Sequence, residues 1–446
     1  MIFEPTLSSH IYSLPFIGIL LSISLGPILF SEIWHKNYFR FVIFWSLISL
    51  TFLIGKFGGA EVGHEWMHMF LHEYVPFIFM IAALYTITGG IHIVIKTRAK
   101  ASLNSLFLVF GSFLASFIGT TGASMLLIRP FLEMNRHRKY KVHLVIFYIF
   151  LVANIGGSLT PLGDPPLFLG YLQGVPFWWP MQHLFLPMVK LLLILITVFW
   201  LLDYYLLSKE TPQPKARQEG ERRFNMTGLR NLPILAGVVI AVWLLGSWKD
   251  APQVGFFDLT WAEVIRDLLL LTLAVLSWKI TPKNVRHYNQ YSWEPFKEVA
   301  KVFIGIFTTI IPVIQMLHQG RAGPFAPLLE LANPGGQPDN TLYFWLTGWL
   351  SAFLDNAPTY LVFFHMAGGD AQVLATTLAP TLMAISAGAV FMGAMTYIGN
   401  APNFMVKAIA EKQYVKKMPS FFGYLLWSCA ILLPAFVIFC RFFLYE

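Results

Sequence analysis

The sequence predicts an all-α polytopic membrane protein with about ten transmembrane helices and two re-entrant hairpins, arranged as an inverted repeat with two broken helices. Composition, interrupted apolar stretches and two recurring motifs support this prediction. Of the 446 residues, 56% are hydrophobic and only 12% are charged, whereas soluble domains carry about 25% charged residues. Apolar stretches of the roughly 20 residues that span a bilayer core recur along most of the chain.

Ten apolar stretches have the length expected of membrane spans, at 11–30, 39–54, 74–95, 142–171, 182–207, 231–246, 261–278, 298–317, 376–406 and 421–442. Two further stretches, 103–129 and 342–367, are interrupted near the middle. We expect these two to be hairpins that enter and leave the membrane on the same side. Non-helical backbone at that depth requires shielding by protein or by a water-filled cavity.

Most of the 31 Lys and Arg residues fall in loops that this arrangement places on one side of the membrane. The positive-inside rule predicts that this side is cytoplasmic, so both termini are expected to be periplasmic or extracellular. The net charge of +8 therefore indicates loop charges facing the cytoplasm, and we expect the lipid bilayer, not nucleic acid, as a partner.

The segment 208–230 is polar and charged and contains prolines, which predicts a cytoplasmic linker. It separates a first repeat, 1–207, from a second repeat, 231–446. Two motifs relate these halves at one offset. The segment starting at Leu114 aligns with the segment starting at Leu350, and the segment starting at Gly157 aligns with that starting at Gly393, each 236 residues apart. Two matches at the same offset indicate an internal duplication.

Five predicted spans separate the two hairpins, and this odd number gives the repeats opposite orientations. Inverted repeats whose hydrophobic segments are interrupted by Gly and Pro at corresponding positions are typical of secondary transporters. Their substrate sites lie near the bilayer midplane. No enzymatic activity and no cofactor is expected.

Proline placement predicts where the helices break. Pro165 and Pro166 end one helix, because proline removes an amide donor and restricts the preceding residue. A second half-helix can begin there with Asp164 as its N-cap and Pro165 at its first position. Asn400 takes the place of Asp164 in the second repeat.

The hairpin tips have a comparable design, with polar residues next to Gly or just ahead of Pro358. Carboxylate, amide and hydroxyl oxygens at the four breaks are ligands suited to Na⁺. The candidate substrate- or ion-binding residues are therefore Thr120, Thr121, Thr160, Asp164, Asp355, Asn356, Thr359, Thr396 and Asn400.

Helix capping is the alternative role for Asp164, Asn356 and Asn400, and the sequence leaves it open. Asp355 differs, because its counterpart in the first repeat is Gly119, so the hairpin itself does not require an acid there. An ionisable group inside a membrane is costly and by default indicates function. Asp355 and Asp164 are the leading candidates for a direct role.

The motifs FLDNAPTYLVF at 353–363 and GGSLTPLGDPPLFLG at 156–170 resemble the ion-transporter superfamily. That superfamily groups sodium:proton antiporters of the NhaD type, arsenite-efflux carriers and di/tricarboxylate carriers. The closest resemblance is to a bacterial branch of antiporter-like and citrate-transporter-like proteins. It implies paired hairpins and broken helices in a domain that moves against a scaffold, in a homodimer of the bacterial inner membrane.

The hairpin tips depart from the family's carboxylate carriers. Those carriers are expected to have Ser-Asn-Thr at both tips, and this chain has Gly-Thr-Thr at 119–121 and Asp-Asn-Ala at 355–357. We therefore expect sodium:proton antiport, with the small cation and protons competing for Asp355 and Asp164. The alternative is a Na⁺- or H⁺-coupled di/tricarboxylate transporter, in which half-helix amides hold the anion.

One motif suggests a remote alternative from another class. The segment His64–His68 matches the H-E-x-x-H pattern of zinc proteases, in which two histidines on one helix face bind the metal. An intramembrane metalloprotease would need a third ligand on a neighbouring helix. Because the polar residues form a stripe opposite Trp66 and Phe70, the segment is instead predicted to be an amphipathic interfacial helix.

Overall fold

The computed structural model describes residues 1–3, 7–97, 100–210, 223–255 and 257–444, and this part of the chain is almost entirely helical. The α-helices in the first half are α1 Leu14–Leu29, α2 Ser31–Phe57, α3 Gly59–Met69, α4 Val75–Thr88, α5 Ala101–Ile118, α6 Thr120–Met134, α7 Val142–Leu151, α8 Pro165–Leu172 and α9 Trp179–Ser208. Those in the second half are α10 Asn231–Gly246, α11 Trp261–Ile280, α12 Lys283–Tyr288, α13 Glu294–His318, α14 Ala326–Ala332, α15 Asn340–Phe353, α16 Asn356–Met366, α17 Ala371–Ala375, α18 Ala379–Met392, α19 Ala401–Gln413 and α20 Phe421–Phe443.

Within the described residues, seven helical segments are long and apolar enough to cross a membrane: Ser9–Leu29, Lys36–Phe57, Gly59–Thr88, Ala101–Ile118, Trp179–Ser208, Glu294–His318 and Phe421–Phe443. Three shorter apolar helices follow at Val142–Ser158, Asn231–Gly246 and Ala379–Met395. Each predicted span overlaps at least one of these helices or α11, and the prediction of an all-α polytopic membrane protein is confirmed.

Both hairpins and both broken helices are present. Helix α5 turns into α6 at Gly119, and α15 turns into α16 across Leu354 and Asp355. The first broken helix consists of α7, a short turn at Ile155–Ser158 and α8. The second consists of α18, a short turn at Gly393–Met395 and α19. The backbone is irregular at each break. Three of these segments lie buried in the protein, and the tip of the second hairpin is partly buried, as irregular backbone at membrane depth requires.

One part of the third predicted span, 74–95, is wrong. The helix ends at Thr88, and His92–Lys96 forms strand β1. Strand β1 pairs antiparallel with β2, Arg223–Thr227, with His92 opposite Thr227. Gly89 and Gly90 follow the helix, and glycine is unfavourable inside helices. Strand β2 lies near the end of the predicted linker, 208–230. Residues 211–222 of that linker lie outside the described residues. The division of the chain at 208–230 stays a prediction.

The helices pack in two groups. One group, called the scaffold group here, contains α1–α4, α10, α11 and α13, with α2 against α13 and α4 against α11. The other, called the site group, contains α5–α9, α15, α16 and α18–α20, with α15 against α18 and α8 against α16. Helices α4 and α13 contact the site group through α6, α8 and α16. The breaks of both hairpins and both broken helices thus belong to one packed unit.

A buried polar network fixes the first hairpin to α9. The carboxylate of Asp203, which is fully buried, accepts hydrogen bonds from Arg138 Nη2 at 2.8 Å and Asn104 Nδ2 at 2.9 Å. His143 Nε2 lies 2.8 Å from the same carboxylate. Because a buried charge is stable only when it is paired and hydrogen-bonded, this network holds the base of the hairpin in a fixed place.

Candidate functional site

Four helix N-termini lie together in the interior of the site group. Helices α6, α8, α16 and α19 begin after the N-cap residues Gly119, Asp164, Asp355 and Asn400. These four residues form two pairs that are each 236 positions apart. The equivalent breaks of the two sequence copies therefore meet, each presenting the amide end of a helix.

Asp164 is the centre of this arrangement. Its side chain is 1% exposed and accepts hydrogen bonds from Thr120 Oγ1 at 2.7 Å, Asn356 Nδ2 at 2.5 Å and Asn400 Nδ2 at 3.0 Å. Thr120 is on the tip of the first hairpin, whereas Asn356 and Asn400 are on the second hairpin and the second broken helix. One carboxylate thus joins residues from all four breaks.

The second half of each broken helix begins at the predicted residue. The side chain of each N-cap residue, however, forms no capping hydrogen bond. Asp164 is the N-cap of α8 with Pro165 at its first position, and Asn400 is the N-cap of α19. Their backbones are nearly identical, with φ/ψ of −145°/144° and −153°/138°. Neither side chain bonds to its own helix. Both are free to bond across the site.

The second hairpin tip divides its tasks between two residues. Asp355 caps α16, because its side chain accepts a hydrogen bond from the Ala357 amide at 3.0 Å. Its backbone carbonyl accepts a hydrogen bond from Thr359 Oγ1 at 2.7 Å. Asn356 is the first residue of the helix and turns its side chain to Asp164 instead of capping. Asp355 is only partly buried and lines the cavity described below.

Thr160 and Thr396 lie behind the site and make equivalent bonds in the two repeats. Thr160 Oγ1 donates to the Ser116 carbonyl, and Thr396 Oγ1 donates to the Ala352 carbonyl at 2.5 Å. The two hydroxyl oxygens also accept from the Leu162 and Ile398 amides, each at 3.2 Å. These bonds tie each broken helix to its own hairpin. The structure therefore gives both threonines a positioning contact, and neither of them lines the cavity described below.

Two glycines allow the breaks to fold back tightly. A Cβ atom on Gly163 would lie 2.1 Å from the Gly157 carbonyl oxygen, and one on Gly399 would lie 2.7 Å from the Gly393 carbonyl oxygen. Both distances are too short for any side chain. The glycines that the two motifs share are thus required by the close approach of the backbone.

A cavity of about 530 Å³ begins at the four breaks. Five of the predicted candidates line it: Thr120, Thr121, Asp355, Asn356 and Asn400. Apolar side chains of α4 and α13, including Phe77, Met80 and Phe303, form the wall on the scaffold side. The cavity extends to Arg129, Gln290 and Lys412, which lie at the end of the protein that is rich in Lys and Arg.

Side-chain contacts join the two groups at the opposite end. Gln173 Nε2, just after α8, donates to Glu73 Oε1 of the scaffold group at 3.2 Å. His318, the last residue of α13, lies 2.8 Å from His365 of the second hairpin. The cavity is therefore continuous with the basic end of the protein, whereas these two contacts join the groups at the other end.

Sequence reasoning missed two residues of this network, Asn154 and Asn403. Asn400 donates to Asn154 Oδ1 at 3.2 Å, and Asn154 donates to Asn403 Oδ1 at 2.7 Å. Asn403 in turn donates to the Thr396 carbonyl at 2.8 Å. Neither residue has an asparagine at its counterpart in the other repeat, so comparing the copies did not select them. A buried amide within each apolar span was the available signal.

The H-E-x-x-H segment is not a separate interfacial helix, as was predicted, but the first part of the helical segment Gly59–Thr88. Glu65 of the motif accepts a hydrogen bond from Gln315 Nε2 of α13 at 3.2 Å. His72, four residues after the motif, contacts Glu263 of α11 at 3.1 Å. Among the described residues, no cluster of three or more His, Cys, Asp or Glu side chains that could hold a metal ion is present.

The sequence was compared with protein families and with curated proteins. A family described as "Putative citrate transport" matches residues 6–444. No curated protein matches the chain. Because the match covers nearly the whole sequence, this multi-pass membrane protein belongs to that family of transporters.

Proposed function

We propose that this protein is a secondary transporter of di- or tricarboxylates of the citrate class, coupled to Na⁺ or H⁺ at Asp164 and Asp355. One observation carries the proposal: four helix N-termini meet at one cavity. Asp355 lines this cavity, and Asp164 lies just behind its wall, hydrogen-bonded to the lining residues Thr120, Asn356 and Asn400. This reverses the order of the sequence-based expectation, in which sodium:proton antiport came first.

The helix N-termini supply the anion-binding half of the proposed site. Each N-terminus carries a partial positive charge of about half an elementary charge, which makes it suited to carboxylates. Helices α6, α16 and α19 begin with Thr120, Asn356 and Ala401, and all three residues line the cavity. Its volume of about 530 Å³ lies within the roughly 300–1,000 Å³ typical of small-molecule sites.

The two aspartates supply the cation-binding half. An ionised carboxylate has about four acceptor positions, of which Asp164 uses three for protein hydrogen bonds and Asp355 uses one for its side-chain cap. Oxygen ligands remain for a hard cation or for a proton. The hydroxyls of Thr120 and Thr121 and the amide oxygens of Asn356 and Asn400 complete the candidate ligand set, whereas Thr160, Thr396 and Thr359 support it through backbone bonds.

The two halves together explain coupling. A substrate that carries two or three negative charges is repelled by two ionised aspartates in a low-dielectric interior. Binding a cation or protons at the aspartates removes this repulsion. The partial positive charges of the helix N-termini then dominate the electrostatic potential in the cavity. The anion and the cation are therefore expected to bind together and to cross together, without a separate gate.

Proteoliposomes that contain the purified protein test this function. Labelled citrate or succinate is supplied outside, and a Na⁺ or proton gradient is imposed while internal label is followed. We expect gradient-dependent accumulation that an ionophore for the same cation abolishes. Failure of any carboxylate to accumulate under either gradient would contradict the proposal.

Sodium:proton antiport remains the second candidate, because neither hairpin tip has Ser-Asn-Thr and both aspartates are placed to bind cations. Under this alternative, added Na⁺ or Li⁺ dissipates an imposed pH gradient in the absence of carboxylate. The same vesicles therefore separate the two functions with one pH-sensitive dye and one labelled anion.

A further inference from the structure

A second cavity, of about 610 Å³, lies at the basic end of the protein, between α11, α12 and the end of α19. Its lining includes the cationic side chains Lys279, Lys283, Arg286 and Lys412. No carboxylate is among the described residues that line it. The cavity therefore concentrates positive charge that no lining side chain of the described chain neutralises.

Arg286 is the fixed element of this cavity. It is only 8% exposed, and its guanidinium donates to the Thr86 carbonyl at 2.9 Å and the Ser277 carbonyl at 3.2 Å. Its Nε atom is buried without a hydrogen-bond partner in the described structure. Carbonyl oxygens orient the guanidinium without cancelling its charge, and a buried charge without a counter-ion is costly. An anion would supply that counter-charge.

Aromatic rings shape the same cavity. The Arg286 guanidinium carbon lies 4.5 Å from the ring centre of Trp278 and 5.0 Å from that of Tyr291, distances at which cation–π attraction stabilises the cation. Aromatic residues with both apolar and polar parts are typical of the level of the lipid headgroups. A basic cavity at that level has the chemistry that binds anionic headgroups.

Hydrogen bonds also fix α12 and the start of α10 against the turn after α4. Asn289, just after α12, donates to the Gly89 carbonyl at 3.0 Å and to the Ile91 carbonyl at 2.6 Å. Asn231 donates to the Gly90 carbonyl at 2.9 Å. These bonds hold α12 against the turn after α4, so the cavity is a fixed feature and not a chance grouping of mobile lysines.

We propose that this cavity binds a phosphate-class anion, with the headgroup of an anionic phospholipid and free phosphate as its two possible sources. Arg286 would orient the phosphate, and the ammonium groups of Lys279 and Lys283 would add charge at the rim. This site lies at the basic end of the protein and shares Gln290 and Lys412 with the cavity that begins at the four breaks. The proposal does not depend on the proposed transport function.

Thermal unfolding of the purified full-length protein in neutral detergent tests the proposal. The probes are a short-chain phosphatidylglycerol, the phosphatidylcholine of equal chain length, and inorganic phosphate. We expect phosphatidylglycerol or phosphate to raise the unfolding temperature saturably, and phosphatidylcholine to leave it unchanged. A response to the lipid alone identifies the headgroup as the source, and an equal response to inorganic phosphate identifies free phosphate.

Two double variants give the matched comparison. Lys279→Ala/Lys283→Ala removes exposed cationic groups from the rim and is expected to raise the half-saturating anion concentration about tenfold. Lys416→Ala/Lys417→Ala removes the same number of exposed charges outside the cavity and is expected to change nothing. The proposal is overturned if no probe gives a saturable shift, or if both double variants weaken binding equally.

Discussion

The carboxylate of Asp164 and the amide of Asn400 occupy the same position in the two sequence copies, 236 residues apart, and hydrogen-bond to each other at 3.0 Å. Each is the N-cap of the second half of its broken helix. The local backbone is the same in both copies, but only one of them carries a charge. That carboxylate lies at the contact between the copies, where residues of both copies hydrogen-bond to it.

Asp355→Asn is expected to abolish coupled uptake while leaving the protein folded. Asparagine caps helices about as well as aspartate, so the bond to the Ala357 amide survives and only the charge is lost. Uptake by proteoliposomes and the thermal unfolding temperature are measured together.

Asp370→Asn is the matched control for that variant. Asp370 is the exposed N-cap of α17 and accepts from the Gln372 amide at 2.8 Å, but it does not line the cavity. We expect normal uptake from this control. Normal uptake from Asp355→Asn as well would leave Asp355 with capping alone.

Asn356→Ala is expected to weaken cation binding more than it weakens the fold. The variant removes the 2.5 Å bond from the second hairpin to Asp164, and a hydrogen bond to a charged group contributes about 1.5–3 kcal/mol. The Na⁺ concentration for half-maximal uptake under a Na⁺ gradient should rise at least about tenfold. Asn37→Ala, at a partly exposed position of α2 that does not line the cavity, is the control, and equal Na⁺ dependence in both variants would argue against a cation at Asp164.

Thr160→Val and Thr396→Val are expected to lower stability by similar amounts. Each variant removes a buried hydroxyl that joins a hairpin carbonyl to a backbone amide of the broken helix, at a cost of about 1–3 kcal/mol. Thr→Ser variants retain the hydroxyl and should restore most of the unfolding temperature. A Val variant with unchanged stability but weaker cation binding would instead make the threonine a direct ligand.

Thr121→Cys tests which side the cavity faces. In a background without Cys429 and Cys440, a membrane-impermeant thiol reagent should modify Thr121→Cys faster in inside-out vesicles than in right-side-out vesicles. Gln337→Cys, in an exposed loop next to α15, should show the opposite preference. Equal rates from both sides at position 121 would contradict a cavity closed at the far end by Glu73–Gln173 and His318–His365.

The sequence predicted the breaks well, because Pro165, Pro166 and the repeated glycines act locally on the backbone. Their effect does not depend on what packs nearby. The termination of the third span at Thr88 was missed because its continuation, Ile91–Ile95, is apolar in the sequence but pairs as a strand with residues distant in the chain.

The site was only partly predictable for a related reason. The alignment of the two repeats identified Asp164 and Asn400. It gave no way to distinguish Thr160 from Asp164, because both side chains offer oxygen ligands. Whether a hydroxyl faces a cavity or a neighbouring carbonyl depends on the packing of the two copies, which local patterns do not contain. Asn154 and Asn403 were missed because the network that joins them crosses between the copies.

Cation-driven uptake of labelled citrate by the Asp164→Asn variant, measured beside the unaltered protein, tests the central claim most directly. We expect the unaltered protein to accumulate citrate under an imposed Na⁺ or proton gradient. We expect Asp164→Asn, correctly folded and inserted, no longer to respond to that gradient. Undiminished gradient-driven accumulation by Asp164→Asn would contradict a coupling cation at the contact between the two repeats.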